Sequence, residues 1–426
     1  MKSEAKPGDY VELHLTRVIY EGTLLESPET EKGIVLLKLG SGYNIGFNKK
    51  EVLEIKVLEK GEEKVSALEV KRQADEPKIA MIITGGTIAA RLDSRTGGVA
   101  PLTTPQDLFK FYPEAFKKVN VKEVIVPFMK ASEDMDFKDW QKIAKTAKKL
   151  LDRADIQGII ITHGTDFLHY TSAALSFFLR DLNKPVVLTY SQRSIDRASS
   201  DANLNLQCSA LAAISDMAEV MLVGHSSSND DYCYAMPGTK VRKLHTSRRD
   251  AFKVVNAKPF VKIFPDKIEV LSEYNRRTNS KVKLDAKFEE KVALVKVYPG
   301  QDSGILDYYL KKKYKGIVLE LSGLGHAPTK RARNSWTKKL KEVQGKGIIV
   351  CATAQCINGR LDPLVYSNGR ETLGTGVIYL EDMLAETALV KLGWVLGHKE
   401  WAKNKGSVKE KMLHNFAHEF NERLEE

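Results

Sequence analysis

Met81-Ile82-Ile83-Thr84-Gly85-Gly86-Thr87-Ile88-Ala89 is the stretch on which the reading of this chain turns. The apolar run from Ile79 to Ile83 reads as a strand buried on both faces of a parallel sheet. It stops at two glycines, which let the backbone bend sharply and come close to a ligand. The residues beyond them can open a helix, and a helix start presents unpaired N–H groups suited to a carboxylate or a developing oxyanion. Thr84 sits at the C-terminal end of the strand, where open α/β sheets bind ligands. Taken alone, the turn is open to three readings: a phosphate cradle, a plain strand-helix connection, or the seat of a threonine nucleophile. It lacks the P-loop lysine and the G-x-G-x-x-G spacing, which disfavours a nucleotide.

Outward from this turn the pattern is strand, loop, helix, repeated. Predicted strands are Ile79–Ile83, Val121–Pro127, Gly158–Thr162, Pro185–Thr189 and Ala218–Val223. Helices are predicted over Phe137–Arg153, with Asp139 and Lys142 on its surface, and over Tyr170–Asp181, with Ala173, Ala174, Phe177 and Phe178 on one face. Such alternation means a parallel sheet with right-handed crossovers. A smaller α/β unit follows, with strands at Val292–Tyr298, Gly316–Leu321 and Gly347–Ala352. Ahead of both, alternating Val11, Leu13 and Leu15, the run Ile34–Leu39, the turn Gly40–Asn44 and the run Val52–Val57 indicate a small β-barrel, SH3-like or OB-like. The expected division is a barrel and linker over 1–72, an α/β domain carrying the site over 73–264, a linker over 265–290, a second α/β domain over 291–405 and a polar C-terminal helix over 406–426. A short strand at Val65–Val70 is also expected within the first linker.

The chain has 426 residues, 42% hydrophobic and 28% charged, an ordinary globular composition. No apolar run approaches the roughly 18 residues of a membrane span, and no secretory leader is evident, so a cytoplasmic location without a membrane partner is expected. Cys208, Cys233, Cys351 and Cys356 form no C-x-x-C pair and read as buried free thiols, with no metal site. The net charge of +11 permits an RNA partner. Much of it lies in Lys311-Lys312-Lys313 and in Thr329 to Lys341, each of which also reads as a solvated helix face.

A second hydroxyl-bearing turn ends another predicted strand: Gly158-Ile159-Ile160-Ile161-Thr162-His163-Gly164-Thr165-Asp166. Two such turns, each closing a parallel strand, can face one another across a crevice and flank the carbonyl of an amide. Threonine is a weak nucleophile at neutral pH and needs a base or proton relay. Asp166 is one member of such a relay, and a lysine further along is the natural other. His163 reads as a packed strand-end residue, Thr87 as a helix-capping hydroxyl, and Asp201 and Asn203 as loop-structuring residues.

In these two motifs the sequence resembles the asparaginase/glutaminase family. The similarity runs on through Ser191–Ser194, Ser199–Leu206, Gly323–Pro328 and Gln355–Arg360. The preceding barrel, the stretch Gly238–Asp250 and the stretch Glu381–Leu392 narrow the match: there the chain is similar to the D-subunit family of archaeal glutamyl-tRNA(Gln) amidotransferases. The resemblance implies a two-domain asparaginase-like α/β fold and hydrolysis of the side-chain amide of glutamine or asparagine. It implies a partner, the E subunit of the same amidotransferase, which uses the ammonia to convert Glu-tRNA(Gln) to Gln-tRNA(Gln). ATP and Mg would serve the partner, this chain binding no cofactor, and the tRNA would be held mainly by that E subunit. It further implies a homodimer within a heterotetramer.

Carried over by position, Thr84 is the nucleophile, with Thr165, Asp166 and Lys243 as the relay. Gly85, Ser132, Glu133 and Gly164 bind the substrate, whose amino group Asp166 shares. Two departures stand out. Phe167 replaces the usual threonine, and the lid expected over Ala90–Leu102 has no tyrosine to contact Thr84. The competing expectations are a free-standing cytosolic L-asparaginase with an accessory barrel and a catalytically inert RNA- or protein-binding scaffold.

Overall fold

The computed structural model describes residues 5–25, 33–39, 44–60, 76–92, 99–101, 108, 112–195, 197 and 199–423. The N-terminal strands β1 (Tyr10–His14), β2 (Ile19–Leu25), β3 (Ile34–Leu39), β4 (Asn44–Asn48) and β5 (Glu54–Glu59) form one antiparallel sheet in the order β4-β3-β2-β1-β5. Period-2 alternation turns Val11, Leu13, Leu24, Val35, Leu37 and Phe47 into a common core. The strands run as a meander whose last member returns beside the first, which is SH3-like; the Greek-key OB form is not adopted. The strand expected at Val65–Val70 lies outside the described residues.

The second domain is built on β6 (Lys78–Ile83), β7 (Ala90–Leu92), β8 (Val99–Pro101), β9 (Asn120–Ile125), β10 (Ile159–Thr162), β11 (Val186–Thr189), β12 (Val220–His225), β13 (Cys233–Pro237), β14 (Val241–Lys243), β15 (Phe252–Val254), β16 (Val261–Ile263) and β17 (Ile268–Val270). Eight of these make the main sheet, in the order β17-β16-β13-β12-β11-β10-β6-β9. The five strands from β9 to β12 are parallel and the remaining three antiparallel. The chain leaves β6 toward β9 on one side and leaves β10 toward β11 on the other. The two connections diverge, so a crevice opens at the C-terminal ends of β6 and β10.

Helices α1 (Phe137–Leu151), α2 (Leu168–Phe178) and α3 (Ala202–Ile214) flank this sheet. α1 is amphipathic and starts at a capping box in which Asp136 and Asp139 each bond the other's backbone N–H. Asp139 is therefore buried, not on the surface as expected. α2 is buried nearly all round because it lies between the two α/β domains, with Phe177 stacked on Trp394 at 5.3 Å.

The second α/β domain has a parallel sheet of β18 (Val292–Lys296), β19 (Gly316–Leu321), β20 (Ile349–Ala354) and β21 (Ile378–Tyr379). α4 (Ile305–Lys311) and α5 (Thr337–Gly345) pack on one face, and α6 (Ser367–Leu373) follows β20 in the chain. The other face is covered by α7 (Ala385–Gly397), which also packs on α2. α8 (Lys405–Met412) ends the regular structure.

Three expectations are corrected. The residues after Gly86 form a single 3₁₀ turn, Thr87–Ala89, not a helix, because Ile88 and Ala89 drop straight into the core and the chain continues as β7. The 265–290 stretch is not a free linker: β17 extends the main sheet, and Lys283–Leu284 pairs with Leu179–Arg180. The C-terminal helix stops at Met412. Beyond it Lys391 captures the carbonyls of Met412 and His414, and Glu419 captures the N–H groups of Phe416 and Ala417, so side chains replace helical partners.

Candidate active site

The strand ends bring the two threonine turns together. Ile83 is paired with Thr162, and Thr84 N–H donates to Thr162 O at 3.2 Å. The Thr84 hydroxyl donates to the same carbonyl at 2.8 Å and is fully buried. Gly85 and Gly86 hold φ of +123° and +84°. A Cβ on Gly86 would fall inside the backbone of His163 and Gly164, and one on Gly85 inside Lys130. Only glycine lets the turns touch in this way.

A third strand end, that of β9, supplies the wall. Lys130 N–H donates to Thr84 O at 2.9 Å, and Lys130 Nζ reaches the Asp139 carboxylate at 2.8 Å. The Asp139 carboxylate accordingly holds the Lys130 amine above its usual value. Ser132 is buried, with Oγ accepting from Phe167 N–H and donating to Glu133 Oε2, both at 3.3 Å. A Cβ on Gly164 would press on Ser132 at 3.0 to 3.2 Å. Glu133 is exposed beside it.

Lys243 completes the group from β14, which pairs with β15 through Lys243 opposite Phe252. Its Nζ donates to Thr165 Oγ1 and to Asp166 Oδ1, each at 2.8 Å. The lysine side chain is 9% exposed while that of Asp166 is 62% exposed, so the relay runs from the interior toward the crevice mouth. The eight residues expected from the sequence, Thr84, Gly85, Ser132, Glu133, Gly164, Thr165, Asp166 and Lys243, lie on the turns that follow β6, β9 and β10 and on β14, joined by the contacts of Gly86 with Gly164, of Gly164 with Ser132 and of Lys243 with Thr165 and Asp166. The other cations of the same basic stretch are committed elsewhere. Lys240 pairs with Asp382 at 2.6 Å, Arg242 with Glu386 at 2.9 Å, Arg248 with Asp250 at 2.9 Å and Arg249 with Asp230 at 2.8 Å.

Sequence reasoning misses the Lys130–Asp139 brace and the Arg242–Glu386 and Lys240–Asp382 ties from β14 and its approach to the second α/β domain. The D-x-x-D spacing of a capping box at Asp136 is a usable signal for the first. Thr87 makes no capping bond, contrary to expectation, because Gly86 is the cap position and presents no side chain. Asp201 does structure a loop, accepting from Gln192 N–H at 2.9 Å and Arg193 N–H at 3.2 Å. The expected lid falls largely outside the described residues; its ends, β7 and β8, pair antiparallel. Cys356 is exposed, unlike the other three thiols, which are buried.

His163 is packed in the interior, as expected. Its ring nitrogens lie 2.7 Å from Gly164 O and 2.9 Å from Thr171 Oγ1, and burial pushes its pKa down to about 4. His169, the second residue of α2, is pushed down to about 3, mainly by burial and further by Arg242 and Lys243. Both bind a proton more readily in the unfolded chain. Stability therefore falls as pH drops from 6.5 to about 4, at up to roughly 1.4 kcal/mol per pH unit for each histidine. His418, raised by its bond to Glu219, acts in the opposite sense. Urea midpoints at pH 7 and pH 5 are expected to differ markedly, and His163→Gln to reduce the difference; an unchanged slope in that variant would contradict the assignment.

The comparisons with known proteins agree with this geometry. Residues 78–276 match the "Asparaginase, N-terminal" family, residues 291–406 the "Glutaminase/Asparaginase C-terminal domain" family and residues 5–58 the "GatD N-terminal domain" family. Among solved structures, the thermostable L-asparaginase from Thermococcus kodakarensis superposes with a TM-score of 0.71 at 28% identity, covering 81% of this chain and 100% of its own. The glutamyl-tRNA(Gln) amidotransferase D subunit of Pyrococcus abyssi is 48% identical over 94% of this chain and 91% of its own. That of Methanothermobacter thermautotrophicus is 42% identical over 98% and 94%. An asparaginase fold, a threonine crevice and the added barrel in one chain, at these identities and over nearly its whole length, place this protein in the family of glutamyl-tRNA(Gln) amidotransferase D subunits.

Proposed function

We propose that the protein hydrolyses the side-chain amide of glutamine, or of asparagine, and passes the ammonia to a partner, the E subunit, that amidates Glu-tRNA(Gln) at the expense of ATP. The observation that carries the chemistry is the contact of Lys243 Nζ with both Thr165 Oγ1 and Asp166 Oδ1, in a turn whose Gly164 packs against Gly86 of the Thr84 turn. The observation that favours the tRNA-dependent role over a free-standing asparaginase is the appended barrel together with the full-length relatives.

In this reading Thr84 Oγ1 leaves its bond to Thr162 O and attacks the amide carbon. Its proton passes into the Thr165–Lys243–Asp166 group, and backbone N–H groups of the two turns hold the oxyanion. The C–N bond breaks as the relay returns a proton to the departing nitrogen, which leaves as ammonia. Water then hydrolyses the acyl-threonine and releases the free acid. Ser132, Glu133 and Asp166, with the backbone of Gly85 and Gly164, bind the substrate's α-carboxylate and α-amino groups. Two such chains with two copies of the E subunit would form a heterotetramer.

Ammonia release tests the proposal. It is expected to be slow with glutamine alone and faster with the E subunit, ATP and Glu-tRNA(Gln). No ammonia under any of these conditions would refute it, and full asparagine turnover with no response to partner or tRNA would favour the asparaginase. Lys243→Met is expected to reduce the rate by about 10² to 10⁴-fold. Its melting temperature should stay near that of the parent, because the pair it breaks ends on an exposed carboxylate.

A further inference from the structure

Two basic runs that the reaction does not use meet on one face of the molecule. Between Ile305 and Lys346 the chain carries eleven lysines and arginines against three acidic residues, a net +8 of the total +11. The runs are separate in sequence, but α4 and α5 pack side by side on the same face of the β18–β21 sheet through Leu306, Leu340 and Val343. Lys339 Nζ bonds Asp307 at 2.9 Å across the two helices. Trp336 Nε1 bonds Gln301 O at 3.2 Å and Asn334 Nδ2 bonds Gly300 O at 2.9 Å, which seats the 329–336 loop against the segment leading into α4. The opposite face of this sheet is closed by α7 against α2. The basic layer therefore points away from the domain that holds the crevice.

Lys330, Lys339 and Lys346 pair with Glu371, Asp307 and Glu342, but most of the charges on this layer are not neutralised within the chain. Lys312, Lys313, Arg331, Arg333, Lys338 and Lys341 are exposed, and among the described residues none of them forms an ion pair. Like charges gathered on one surface repel, and a polyanion relieves that repulsion. Tyr308 stands 53% exposed on α4 in the same layer, an aromatic ring beside the cations of the kind that contacts nucleotides.

We propose that this α4–α5 face binds the phosphate backbone of a folded tRNA, as a contact made by this chain itself in addition to any made by its partner. The inference rests on the tRNA-dependent reading above. The experiment measures binding of an in vitro transcribed tRNA(Gln) to the full chain by fluorescence anisotropy across a salt series. It compares the wild type with Lys312→Ala/Lys313→Ala/Arg331→Ala/Arg333→Ala, with Lys338→Ala/Lys341→Ala, and with a control that removes four exposed lysines elsewhere, Lys145, Lys149, Lys281 and Lys403. The four-site variant is expected to bind at least about 10-fold more weakly, with a log–log salt slope shallower by about 1 for each phosphate interaction removed. The two-site variant should show a smaller effect and the control little change. Equal weakening in face and control variants, or none in the face variants, overturns the proposal. So does a face variant that keeps its RNA affinity but no longer associates with the E subunit, which would make the surface a protein interface. Glutamine hydrolysis by the same samples separates the two levels. Intact hydrolysis with unchanged RNA binding removes only this surface; absent hydrolysis in the wild type, alone and with its partner, removes the reading beneath it.

Discussion

Thr84→Ala is expected to lower glutamine amide hydrolysis by at least about 10³-fold, roughly 4 kcal/mol of activation free energy, in single-turnover ammonia release. The fold should survive. The lost hydroxyl made one hydrogen bond, to Thr162 O, and that carbonyl keeps the Thr84 N–H as a donor, so the stability change is expected to be about 1 kcal/mol. Thr84→Ser, which keeps the oxygen, should retain a measurable part of the rate. A diazo-ketone glutamine analogue should modify the wild type at Thr84 and fail to modify the Ala variant. The geometry makes the contrary result informative. Thr165 already has Lys243 Nζ against its hydroxyl at 2.8 Å, whereas the Thr84 hydroxyl bonds a backbone carbonyl. If the Ala variant keeps more than about a tenth of the activity and the label appears on Thr165, the two threonines exchange roles within the same crevice.

Lys391→Met is expected to destabilise the chain by about 3 to 5 kcal/mol in denaturant unfolding, the usual cost of stranding one charge of a buried pair. Lys391 Nζ lies 2.5 Å from Glu419 Oε1, and both side chains are fully buried. Burial pulls the amine's pKa down while Glu419 opposes the shift. The same amine donates to Met412 O at 2.8 Å and His414 O at 2.7 Å, so it is the anchor of the segment that follows α8. That segment reaches the site's framework: Asn421 bonds Asp382, whose other partner is Lys240 on the approach to β14. Pairing Lys391→Met with Glu419→Gln should recover a substantial part of the stability, because no unpaired charge then remains. A single variant within about 1 kcal/mol of the wild type would show that water reaches this pair.

How much of this is legible in the sequence depends on the range over which each feature is encoded. The parallel strands announce themselves as apolar runs at β6, β10 and β11. The glycines after β6 mark a place where backbones must touch, because a side chain on Gly86 collides with His163 and Gly164. The two hydroxyl turns, the acidic residue next to the second and the barrel ahead of them are likewise local patterns, and the family resemblance rests on them. The single turn at Thr87–Ala89 departs from expectation for a local reason too: its residues suit a helix, but burial of Ile88 and Ala89 in the core prevails over that propensity.

Fold class, domain order and the two threonine turns can be read from the residues alone, since periodicity records which side chains are buried and glycine records where the backbone is crowded. Lys243 stands out there only by resemblance. Five cations lie between Gly238 and Asp250, and their spacing does not distinguish them. Tertiary packing separates them, by giving four of them carboxylates outside the threonine pair and turning Lys243 onto Thr165 and Asp166. The same holds for the burial of Asp139 under Lys130, for the buried charge at Glu419 and for the meeting of the two basic runs on α4 and α5. The identity of a charge's partner is set by strand order and helix packing, neither of which is written in the residues adjacent to it.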